Sequence, residues 1–139
     1  MTLMAVDFGS RRIGIAVTDT SERLALSVGT FRIKSESDGI DQISRMAEAR
    51  RVREIILGLP LSHDGGETQM SGRVRAFAEK LRLRLSIRIT FEDERHTTEA
   101  AEAPLKVAGL SGRKRRGKVD AGAATVLLQS VLRKGPPPQ

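Results

Sequence analysis

The stretch Leu3-Met4-Ala5-Val6-Asp7-Phe8-Gly9 ends an apolar run on a carboxylate, and that break constrains what the chain can fold into. Four consecutive apolar residues, Leu3 to Val6, precede a short turn with Gly9, and a second β-prone run follows from Ile13 to Val17. Such a run, bounded by a turn, reads as a central strand covered on both faces. Asp7 then stands at the end of a buried strand, where an ionised side chain is costly unless a cation or strong donors compensate. An Asp that caps its own turn before Phe-Gly would account for this stretch alone equally well.

The rest of the chain supplies partners for that strand. Leu24 to Ile33 is a third candidate strand, so the chain opens as a three-stranded antiparallel meander. Ser35 to Asp38 carries helix-start chemistry, and Ile40, Ile43, Met46 and Ala47 recur at helical spacing before Arg50-Arg51. Glu54 to Leu59 reads as a buried strand stopped by Gly58 and Pro60. A loop is expected from Leu61 to Ser71, with Asp64-Gly65-Gly66-Glu67 as a plain turn. Met70, Val74, Phe77 and Leu81 mark one face of a second helix, and Leu85 to Phe91 alternates as a strand. Thr97 or Thr98 can cap a third helix with Glu99 and Glu102 in its first turn, as the helix dipole favours. Gly109 to Lys118 reads as a mobile, glycine-punctuated basic loop, and a last helix is expected from about Val119 to Leu132.

Strands alternating with helices after a meander predict an α/β fold, a mixed sheet with helices on both faces. One domain is expected over residues 1–134, with 135–139 (Gly-Pro-Pro-Pro-Gln) a disordered tail. No cysteine is present, which excludes disulfides and thiolate metal sites. No signal-peptide pattern and no run long enough to span a membrane are visible, so a cytoplasmic location is expected.

Charge points to the partner. The 24 Lys and Arg against 17 acids give a net charge of +7, which suggests an anionic partner, nucleic acid ahead of a membrane surface. Four Phe with no Trp or Tyr make no base-stacking platform, so contacts should be mainly to phosphates.

Acids occur at three awkward places: Asp7, the Asp93-Glu94 pair after a strand, and Asp120 within the last helix. Residues 120, 124, 127 and 131 share one helix face, which sets Asp120 in a stripe with Ala124, Leu127 and Val131. The helix start and Lys118 could satisfy Asp120 without a metal. Together, however, carboxylates from two strand ends and one helix can converge on hard divalent cations such as Mg²⁺ or Mn²⁺. Two such ions about 4 Å apart can stabilise both the attacking and the leaving oxygen of a phosphodiester. A basic chain with such a site is a nuclease candidate.

Asp7-Phe8-Gly9 with Arg12 to Val17, Gly58-Leu59-Pro60-Leu61, Asp93-Glu94-Arg95 and Lys118-Val119-Asp120-Ala121 resemble the YqgF/RuvX family over about residues 4–133. The resemblance implies a ribonuclease H-like fold with a mixed five-stranded sheet, a meander plus two parallel strands. It implies a metal-dependent nuclease, acting in 5′-end maturation of 16S ribosomal RNA or, as the family's other proposed role, in Holliday-junction resolution. Position by position, the family's acids fall on Asp7, Asp93-Glu94 and Asp120. Adjacent strand residues point oppositely; Glu94 is favoured over Asp93 as the metal ligand for its longer reach. His96 is expected to be exposed. Arg11, Arg12 and Arg95, with Arg113, Lys114, Arg115, Arg116 and Lys118, form the basic set expected to contact nucleic acid, the last five as a phosphate-gripping flap over the site.

Two rivals share parts of this pattern. Actin-like ATPases also open with Asp-x-Gly and a β-hairpin, but 139 residues leave no room for their second lobe. A non-catalytic RNA-binding module would have no use for acids in all three places. The scarcity of exposed apolar and aromatic material predicts a monomer or weak homodimer, acting on structured RNA rather than on branched DNA.

Overall fold

A computed structural model describes residues 2–96 and 112–134, with side chains described for 2–95 and 122–134. Strands β1 (Thr2–Phe8), β2 (Arg12–Thr18) and β3 (Ala25–Arg32) form the expected meander. Helix α1 (Glu36–Ala49) leads to β4 (Val52–Leu59), and α2 (Gln69–Arg84) leads to β5 (Arg88–Asp93). A single 3₁₀ turn, Glu94–His96, follows, and the last described helix is α3 (Gly112–Arg133). The five strands form one sheet in the order β3-β2-β1-β4-β5, with β1 antiparallel to β2 and parallel to β4, and β4 parallel to β5. β1 is central because its apolar residues can be covered from both sides.

Side-chain alternation divides the sheet into two faces. Met4, Val6 and Phe8 of β1, with Ile13, Ile15, Ile55, Leu57 and Ile89, pack under α1 and α2. The Phe8 and Phe77 rings stack there, centroids 4.3 Å apart. Leu3, Ala5, Ala16 and Ile56 form the opposite face under Ala124, Leu127 and Leu128 of α3. Helices thus cover both faces, as expected.

Local chemistry sets the helix starts. Ser35 caps α1 by accepting from the Asp38 N–H at 3.1 Å. Thr68 and Ser71 form a reciprocal capping box at α2. Three expectations need correction. Gly58 does not stop β4 but lies within it. β5 begins at Arg88, three residues later than Leu85, because the Leu85 N–H still serves as the C-cap of α2, bonded to the Leu81 carbonyl. Residues 112–118 are helical rather than a mobile loop. Arg and Lys are strong helix formers, Gly112 stands at the helix start, and the interior Gly117 costs only about 1 kcal/mol. The helix expected from Thr97 or Thr98 and the tail 135–139 lie outside the described residues.

Candidate active site

Asp7 is the last but one residue of β1 and follows Leu3 and Ala5 in alternation, so it stands on the α3 face of the sheet. It is half-buried. On β2 its direct neighbour is Gly14. On β4 the parallel register reaches Val6 opposite Leu57, so Gly58 is next along beside Asp7. The carboxylate is therefore flanked on both sides by residues without side chains, which leaves an open floor around it.

Glu94 fills part of that floor. It is half-buried, and its carboxyl shares a hydrogen bond with Asp7. A Cβ built on Gly58 would collide with the Glu94 carboxyl, standing 3.0 Å from its Cδ and Cγ. Burial foremost, then the charge of Asp7 and their hydrogen bond, then the charge of Asp93, push the Glu94 carboxyl up to about 7. In the metal-free chain Glu94 therefore keeps its proton up to near neutrality.

Asp93 is turned elsewhere. It follows Ile89 and Phe91 in alternation, on the α1/α2 face, and its carboxylate is gripped by Arg95 Nε and a terminal nitrogen at 2.6–3.1 Å. Arg95 also donates to the His63 carbonyl at 3.0 Å, which ties the loop after β4 to the end of β5. That loop is a tight turn in which Asp64 accepts from the Gly66 N–H at 2.9 Å and Gly65 takes φ of 87°, a conformation that suits glycine. Arg95, expected to face nucleic acid, is instead occupied by Asp93 and this loop.

Asp120 lies in α3 one turn before Ala124, and its side chain is outside the described residues, as are those of Arg113, Lys114, Arg115, Arg116 and Lys118. His96 ends the 3₁₀ turn, its side chain likewise outside them. Arg11 and Arg12 are exposed at the β1–β2 turn, which the Gly9 N–H closes onto the Arg12 carbonyl at 2.8 Å.

Two participants escaped the sequence reading. Gly14 reads along the chain only as part of the second strand and Gly58 as a strand stop, although a glycine inside a strand pattern signals close approach of another group. Glu92, two residues before Glu94 on the same face, is buried and meets Lys134 and Ser130 at the end of α3, so it serves as a structural ion pair.

The donor set is oxygen only, and among the described residues no group of three His, Cys, Asp or Glu side chains gathers at a point. Asp7 and Glu94, two carboxyls on a floor cleared by Gly14 and Gly58, fit a hard divalent cation that would relieve their crowding.

The sequence matches the model of a family described as "RuvX: Holliday junction resolvase" over residues 1–134. The chain belongs to the RuvX family. It is 38% identical over 137 residues to a relative named "Putative pre-16S rRNA nuclease" from Anaeromyxobacter sp. (strain K), covering 99% of this chain and 100% of that one. A relative of the same name from Maridesulfovibrio salexigens is 35% identical over 132 residues, with 95% and 98% covered. Among solved structures, Thermus thermophilus RuvC superposes with a TM-score of 0.63 at 11% identity, covering 97% of both chains. The fowlpox virus resolvase bound to Holliday junction DNA gives 0.60 at 10% identity, covering 96% of this chain and 98% of that one. This RuvX member therefore has the ribonuclease H-like fold shared with those resolvases. No helix among its described residues is long and apolar enough to cross a membrane.

Proposed function

We propose that this chain is a metal-dependent nuclease that hydrolyses phosphodiester bonds, with 5′-end maturation of precursor 16S rRNA as its role. One observation carries the reading. Asp7 and Glu94 reach each other from separate strand ends on one face of the sheet, over the floor left by Gly14 and Gly58. Within the RuvX family, that pair is best explained as a cation site acting on a phosphodiester.

Asp7, Glu94 and Asp120 would hold Mg²⁺ or Mn²⁺, which supplies Lewis acidity and charge neutralisation at the scissile phosphate. The chain's own residues prepare that chemistry. Asp7 reaches the floor from the central strand, which is paired with a neighbour on each side. Glu94 holds a proton at its carboxyl near neutrality in the metal-free chain, and would have to give it up to hold a cation beside Asp7. Asp93 takes no part at the cation; with Arg95 it fixes the backbone from which Glu94 projects.

RNA maturation is preferred over junction resolution on the exposed surface. Resolution needs paired symmetric cuts, which a two-fold dimer supplies. The large apolar side chains exposed among the described residues are Leu24, Leu26 and Leu83, none aromatic, with Leu83 on α2 away from the two on or beside β3. That is little material for a dimer interface. The names of the curated relatives point the same way.

The test is cleavage of precursor 16S rRNA fragments and four-way DNA junctions with Mg²⁺ or Mn²⁺, beside an Asp7→Asn control. Cleavage of neither substrate by the native chain would overturn the proposal. Symmetric nicking of junctions, with precursor RNA left intact, would replace the RNA role by resolution.

A further inference from the structure

Arg12 and Arg32 stand directly opposite each other in the antiparallel β2–β3 pair. Like charges in that position repel and are destabilising, so the arrangement calls for an anion. Neither side chain forms an ion pair with a described residue, nor do those of neighbouring Arg11 and Lys34, and all four residues are exposed. Other arginines are paired with acids, Arg53 with Glu22, Arg75 with Glu67, Arg84 with Asp41 and Arg95 with Asp93, while some, such as Arg88, pair with no described acid; what sets Arg12 and Arg32 apart is that they face each other across the strand pair. The acids nearest the four are already engaged. Asp38 accepts from the Lys34 N–H at 2.8 Å and from Gln42, and Glu36 pairs with Lys80 at 3.2 Å.

The backbone beneath these side chains is held firmly. Gly9 N–H donates to the Arg12 carbonyl at 2.8 Å, Ile33 N–H to the Arg11 carbonyl at 3.0 Å, and the Gln42 amide to the Arg32 carbonyl at 3.0 Å. The ridge also lies where a substrate would pass. Arg12 shares the face of Gly14, the neighbour of Asp7, two residues nearer the end of the sheet. Arg32, its cross-strand partner, lies on that face too, about 12 Å from Asp7 by strand spacing and rise.

We propose that Arg12 and Arg32, flanked by Arg11 and Lys34, form a phosphate-binding ridge that carries the substrate's sugar–phosphate backbone across the β2–β3 end of the sheet to Asp7. This deepens the nuclease reading and rests on it for the identity of the anion. Phosphate contacts fix register without reading sequence, so the ridge positions a strand and leaves recognition to the shape of the substrate.

The test measures binding of the full chain to a single-stranded RNA oligonucleotide and to an RNA duplex, in EDTA, over a range of salt concentrations. Arg32→Gln should lower the slope of log affinity against log salt by about 0.7 on the single strand, and Arg32→Gln with Lys34→Gln by about twice that. Exposed Arg88→Gln, at the opposite end of β5, should leave the slope unchanged. A native slope in the Arg32 variants would overturn the ridge, as would an equal fall in Arg88→Gln, which would mean net charge alone. Thermal stability of Arg32→Gln should hold or rise as repulsion is relieved; a fall of several degrees would give Arg32 a structural partner and overturn the ridge. Cleavage is assayed separately with Mg²⁺. An unchanged slope with intact cleavage removes only the ridge, whereas a lowered slope with no cleavage by the native chain removes only the nuclease reading.

Discussion

Gly58 and Glu94 occupy complementary space: the strand residue gives up its side chain where the carboxyl of the 3₁₀ turn lies against β4. A glycine in a central parallel strand normally weakens it. Here the missing side chain lets an acid from a neighbouring strand end reach Asp7.

Gly58→Ala should therefore displace Glu94 rather than unfold the sheet. Overpacking of this kind costs about 1–3 kcal/mol, and a catalytic group moved by about 1 Å can lose 100-fold in rate. Thermal melts beside cleavage assays check both. Full activity in the variant would mean that the Glu94 position is irrelevant to catalysis.

The adjacent acids should separate cleanly. Glu94→Gln should remove cleavage while the metal-free protein stays as stable as the native chain or becomes more so, since a crowded carboxyl is gone. Asp93→Asn should retain cleavage to a much greater degree and weaken the hold on Arg95. Asp7→Asn and Asp120→Asn should behave like Glu94→Gln. Equal loss in the Asp93 and Glu94 variants would contradict the division of the pair between the two sheet faces.

Stability of the metal-free protein should fall as pH rises from about 4.5 to about 7. The folded Glu94 carboxyl, pushed up to about 7 by burial and by Asp7, keeps a proton that the unfolded chain has already lost. The stabilisation is complete below the unfolded value and is lost as pH passes the folded one. Melting curves in EDTA between pH 5 and pH 8 measure this, and Glu94→Gln should flatten the decline. Mg²⁺ or Mn²⁺ should raise the melting temperature more at pH 8 than at pH 6, because the cation binds the ionised form.

Arg95→Lys should loosen the loop after β4. A lysine cannot reproduce the forked hold on Asp93 together with the bond to the His63 carbonyl. Both ends of this ion pair are partly exposed, so the loss of stability should stay near or below about 1 kcal/mol. Hydrogen exchange should quicken locally at residues 62–66. Unaltered exchange there would show that the loop holds its shape without Arg95.

Much of this protein was legible from its sequence because periodicity and turn chemistry are local. The meander, the two later strands, the start of α1, the apolar face of α2 and the three acidic places could each be read within a window of a dozen residues. The motifs Asp7-Phe8-Gly9, Gly58-Leu59-Pro60-Leu61, Asp93-Glu94-Arg95 and Lys118-Val119-Asp120-Ala121 were enough to suggest the family. The basic run 112–118 was misread for the opposite reason: its glycines suggested a loop, whereas Arg and Lys propensity and continuity with the apolar stripe of α3 make it helical. Only the tertiary structure could turn Glu94 to Asp7 and Asp93 to Arg95, because their directions depend on the parity of β5 against β4 and on the space left by Gly58. The same holds for the Arg12–Arg32 pair, twenty residues apart in sequence and face to face in the sheet. Charges and glycines are visible along the chain, but what stands opposite them is set by strand register, a long-range property that no local pattern contains.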